Sequence, residues 1–68
     1  MDDNKLIILM DHTIHHNEHH AEDFVSIAKE LKDAGVPDAA SLAESAAQDV
    51  ESAVKKLVEA RDLYKKQL

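Results

Sequence analysis

The chain has no cysteine, and only one glycine and one proline in 68 residues. The missing cysteine excludes disulfides and thiolate metal sites. With so few turn formers, the chain has little means of reversing direction more than once. Basic residues are also scarce: eight Lys and Arg stand against fourteen Asp and Glu, for a formal net charge of −6. That balance excludes the basic stripe a nucleic-acid partner would require, and it suits the attraction of cations. Long apolar runs are missing too. The stretch Leu6–Met10 falls far short of the roughly 20 residues that span a bilayer. Asp2 and Asp3 oppose the positive n-region of an export signal, so no membrane span and a cytoplasmic location are expected.

What is present is helix-forming. Alanine, leucine, lysine and glutamate dominate, which predicts an all-α chain. In a chain this short the core is small, and oligomerisation, a bound metal or close helix packing must supply stability. Residues 1–68 read as a single helical-hairpin domain. Helix 1 is expected over about residues 3–34, with a stripe at Ile7, Met10, Ile14, Ala21, Phe24, Ala28 and Leu31 that Asn17 interrupts. Asp2, Asp3 or Asn4 is its expected cap. Gly35 is the natural left-handed residue after the helix, and Pro37 prevents continuation, giving a turn over 35–37. Helix 2 is expected over about 38–67, capped by Asp38 or by the Ser41–Glu44 capping box. Its stripe reads Ala39, Leu42, Ala46, Val50, Ala53, Leu57, Ala60, Tyr64.

The short connection makes the helices antiparallel neighbours, pairing at positions that add to roughly 73. His20 then lies near Ala53, and His16 near Leu57. A lone hairpin leaves half of each stripe wet, so a homodimer forming a four-helix bundle is expected. Asn17, within the stripe, needs a polar partner and suits a role in fixing register.

Five histidines fall within residues 12–20, at His12, His15, His16, His19 and His20. His12, His16 and His20 recur every four residues, as do His15 and His19. On a helix, such pairs point the same way one turn apart, and two imidazoles so placed can grip one metal ion. Asp23, three residues after His20, adds a carboxylate. Imidazole with carboxylate and no sulfur suits Zn(II), Ni(II), Co(II) or Cu(II), and suits Ca(II) or Mg(II) poorly. One helix face supplies two or three ligands, and helix 2 has no histidine. An incomplete shell fits a carrier better than a closed structural site.

Along His12-Thr13-Ile14-His15-His16-Asn17-Glu18-His19-His20-Ala21-Glu22-Asp23-Phe24 the chain resembles a family of small His-rich helical-hairpin proteins. Their first helix carries the pattern H-x-I-x-H-N-x-x-H-A-x-x-F, matched here at His12, Ile14, His16, Asn17, His20, Ala21 and Phe24. The resemblance implies nickel or cobalt handling, sometimes beside transport components. It implies that His12, His16 and His20 are the main ligands and that His15 and His19 are extras of this chain. Many relatives have an aromatic residue where Thr13 stands, a departure that bears on the packing beside the motif.

The leading expectation is therefore a small buffer, chaperone or sensor of a divalent nickel, cobalt or zinc ion. Its ligands are His12, His16 and His20, with His19, His15 and Asp23 assisting. Its partner would be a metal-transport or metalloenzyme-maturation protein. The alternative is a dimeric interaction module with incidental metal affinity, in which exposed apolar residues such as Ile8 and Leu9 matter more. A catalytic di-metal bundle is disfavoured because the Glu-x-x-His spacing fails at Glu18 and helix 2 lacks histidine. No enzyme is expected, since no nucleophile arrangement, phosphate loop or substrate-sized enclosure is visible.

Overall fold

A computed structural model describes the backbone of residues 3–68 and side chains from Lys5 onward. The chain is all-helical. Helix α1 spans Asp3–Asp33 and α2 spans Pro37–Lys65. They pack against each other as a hairpin measuring 51 × 15 × 12 Å. Both boundaries lie within two residues of those expected. The cap expected at Asp2, Asp3 or Asn4 lies outside the described side chains.

The turn follows from three residues. Gly35 takes φ +83°, the left-handed conformation that a Cβ penalises. Around it Val36 N–H donates to the Leu31 carbonyl at 3.0 Å, and Gly35 N–H to the Lys32 carbonyl at 3.0 Å. This is the Schellman arrangement, which satisfies carbonyls that the helix end would otherwise leave open. Pro37 opens α2 in its first turn, where a missing N–H costs nothing. The cap residue is Val36, with no side-chain cap bond, so neither Asp38 nor Ser41 plays that part. Asp38 sits instead in the first turn, where its charge meets the positive helix end.

The seam is clearest in α1. Ile7, Met10, Ile14, Asn17, Ala21, Phe24, Ala28 and Leu31 are all buried or half-buried, at alternating steps of three and four residues. That is the heptad spacing of a coiled-coil seam, and it is the expected stripe. In α2 the same steps select Ala40, Ala43, Ala47, Val50, Val54, Leu57, Arg61 and Tyr64, all buried or half-buried. Here the expected stripe needs correction. Val50, Leu57 and Tyr64 face inward as read, but Ala53 and Ala60 are exposed and Leu42 is 75% exposed. The physical reason is composition. Alanine stands on two adjacent faces of α2, so apolarity alone does not choose between them.

The core is thin. Its buried residues are Ile14, Ala21, Ala28, Ala40 and Ala47. Alanines let the backbones approach, but each removes little apolar surface from water. Arg61 Nη1 donates to Asp11 Oδ1 at 2.8 Å across the helices. Their numbers add to 72, close to the expected register. Asn17 is half-buried, and its Nδ2 donates to the Thr13 carbonyl one turn back at 2.9 Å. Its polar group is thus satisfied within α1, so this bond does not itself set the register between helices.

Candidate metal centre

Every expected ligand lies on α1 within Asp11–Asp23, an uninterrupted stretch of helix. All five histidines and Asp23 are exposed. The helix sorts the rings into pairs. His16 Nε2 and His20 Nε2 are 3.0 Å apart, with ring centroids at 4.5 Å and planes at 86°. His15 Nε2 and His19 Nε2 are 3.3 Å apart, with centroids at 4.8 Å and planes at 84°. Each contact is a hydrogen bond in which one Nε2 donates and the other accepts. Seating an ion there would require the donor ring to carry its proton on Nδ1 instead and both rings to turn their Nε2 lone pairs toward one point.

His12 behaves differently. Its ring stacks on His16 with centroids 6.0 Å apart and planes at 16°. Parallel rings at that distance do not point their nitrogens at one spot. The row His12, His16, His20 is therefore resolved into one closed pair and one stacked neighbour. Asp23 makes no ion pair with a histidine among the described residues. The carboxylate that does approach is Glu22, whose Oε2 lies 3.7 Å from His19 Nδ1. The three-residue step from His19 to Glu22 was legible in the sequence, but Asp23 satisfied both His19 and His20 by spacing and drew attention away.

Among the described residues no group of three or more His, Asp or Glu side chains converges on a single point that could hold an ion. Two pairs of imidazoles, on neighbouring faces of one helix, are what the fold provides. Beside the cluster an ion pair links the two helices. Hydrogen bonding to Asp11 holds the Arg61 guanidinium above its ordinary pKa, with Asp62 adding to the effect and desolvation opposing it. Arg61 therefore stays charged at any working pH and keeps Asp11, next to His12, engaged in the interhelical pair.

A surface groove of about 580 Å³ lies on the flank of the hairpin away from His16 and His20. It is lined by Glu18, Ala21, Glu22 and Val25 of α1 and by Glu51, Val54 and Lys55 of α2. Its floor is apolar and its rim acidic, and no histidine enters it.

Residues 6–64 match a family described as a domain of unknown function (DUF8180), and the chain belongs to that family. No curated protein and no solved structure matches it. No helix among the described residues is long and apolar enough to cross a membrane.

Proposed function

We propose that this protein binds a first-row divalent transition-metal ion, Zn(II), Ni(II) or Co(II), through its paired histidines. It would serve as a buffer, chaperone or sensor of that ion. The observation that carries the reading is the spacing of the two Nε2 pairs. With metal–nitrogen bonds of about 2.0–2.1 Å, two nitrogens on one ion stand roughly 2.9 Å apart at a right angle and roughly 3.3 Å apart at a tetrahedral angle. The observed separations are 3.0 and 3.3 Å. The helix thus holds each pair near the bite of a single ion before any ion arrives, which lowers the ordering cost of binding.

On this reading His16 and His20 form the primary grip and His15 with His19 a second. His12 flanks the first grip, and Glu22 Oε2, 3.7 Å from His19 Nδ1, would need to close by a small rotation to make the carboxylate–imidazole hydrogen bond that orients metal-bound rings. Asp23 is within reach only by side-chain rotation. Two imidazoles per ion leave the shell open to water, to a second chain or to a metal-transport or maturation protein that takes the ion onward. A cytoplasmic setting goes with that role.

The test is calorimetric titration of Zn(II), Ni(II) and Co(II) into the full chain at about pH 7.5, where protons compete little for imidazole. Saturable binding is expected, weakening on the order of 100-fold in His16→Ala/His20→Ala and less in His15→Ala/His19→Ala. Acidification to about pH 5 should release the ion, because protons and metal compete for the same lone pairs. Binding that survives removal of both pairs would sink the reading.

The exposed apolar residues favour a second reading, an interaction module. Ile8 is 65% exposed, Leu9 60%, Leu42 75% and Leu63 61%. On that reading, Ile8→Ser/Leu9→Ser abolishes capture of a protein partner while His16→Ala/His20→Ala leaves it intact.

A further inference from the structure

The two flanks of the hairpin differ in charge. The groove places Glu18, Glu22 and Val25 of α1 on the same side as Glu51 and Lys55 of α2. Positions bordering the seam on that side are mostly charged, as at Asp11, Glu18, Lys32, Glu44, Glu51 and Lys65. The positions bordering the seam on the other side carry no charge: Thr13, His20 and Ile27 on α1, and Ala46, Ala53 and Ala60 on α2 are examples. The row Leu9, His16, His20, Ile27 runs along that side within about 40° of arc on the helix, with the charged residues Asp23 and Glu30 on its outer edge. Leu9 is 60% and Ile27 47% exposed.

We infer that this uncharged flank receives a second copy of the chain, and that the His16–His20 pairs of the two copies close around one shared ion. The inference rests on the metal-binding reading above. Its first support is stoichiometric. The pair supplies two nitrogens, no third ligand converges on it among the described residues, and a tetrahedral site needs four. An isologous contact presents the same patch twice. A two-fold axis beside His16 and His20 therefore brings up a second pair at no cost in new residues.

The second support is area. A strip along the 51 Å hairpin, about 10 Å wide, buries on the order of 1,000 Å² over both copies. Stable interfaces bury roughly 1,200–2,000 Å². The apolar flank alone therefore makes a weak dimer, and the shared ion supplies the difference. Association is accordingly metal-dependent. Four imidazoles around the ion suit Zn(II) and Co(II), which accept tetrahedral nitrogen sites.

The experiment is sedimentation of the full chain with chelator, with Zn(II) and with Co(II), alongside the Co(II) absorption spectrum. A monomer in chelator that becomes a dimer at about half an equivalent of metal, with the intense visible bands of tetrahedral cobalt, is the expected result. His15→Ala/His19→Ala should still dimerise, and His16→Ala/His20→Ala should not. Ala46→Glu places a charge on the same flank opposite Ile27, two helical turns from the position that faces His20. It should abolish the dimer and leave weak binding of one ion per chain, with helical circular dichroism unchanged. A monomer that saturates at one ion per chain would overturn the shared site while the metal-binding reading stands. A dimer equally strong in chelator would overturn metal dependence. Absence of any saturable binding would overturn both.

Discussion

The two ends of the hairpin are built on different terms. Near the turn Ala28, Ala40 and Ala47 of the seam are each 4% exposed or less, with Phe24, Leu31 and Ala43 half-buried beside them. There the helices come close over small side chains, and the Schellman turn holds their entry angle. Toward the open end the seam carries Ile7, Met10, Leu57 and Tyr64, all only half-buried, together with the polar residues Asn17 and Arg61. Only Ile14 among the larger residues there is buried, at 4% exposure. All five histidines belong to this looser half. The contrast teaches that order and chemistry are divided along the length. The turn end secures the hairpin, and the open end leaves apolar residues and the histidines exposed.

The strongest way to break that contrast is Ile14→Ala. It removes the one large buried anchor of the open end and should cost about 2–4 kcal/mol, enough to lower the thermal midpoint steeply in so small a fold. Amide exchange in the variant should rise first around residues 5–20 and 54–64 and last near the turn. Uniform loss of protection would show that the two ends are one cooperative unit. Gly35→Ala probes the opposite end. Nothing lies within 4 Å of the added Cβ, so its cost is the left-handed backbone alone, about 1 kcal/mol. Metal affinity measured well below the midpoint should not change. The smallest effect belongs to Arg61→Met, which keeps the apolar stem but deletes the ion pair with Asp11. Its destabilisation should be below that of Gly35→Ala and should vanish at high salt, because both partners remain partly exposed.

The hairpin, its turn and the inward face of α1 were legible because the residues concerned are distinctive. Large apolar side chains mark only one face of α1, and Gly35 followed by Pro37 admits few other backbone paths. The inward face of α2 was not, because it is written in alanines that recur one position away and because Arg61 occupies a seam position. The signal that would have found it is the unbroken step pattern from Ala40 to Tyr64, which repeats that of α1. At the candidate site, spacing identified the cluster and both four-residue pairs. It could not separate His12 from the row, because ring orientation depends on rotamers that spacing does not encode. Nor could it favour Glu22 over Asp23.

The pairing of His16 with His20 exists only while the intervening turn of α1 is wound. When that segment frays, the two nitrogens separate and the grip is gone. On the proposed metal-binding reading, the apparent dissociation constant equals the intrinsic one divided by the fraction of time the turn is helical. Any event that alters helicity between residues 15 and 20, whether docking of a partner or a distant packing defect, would then be read out as captured or released ion, a gauge of local folding.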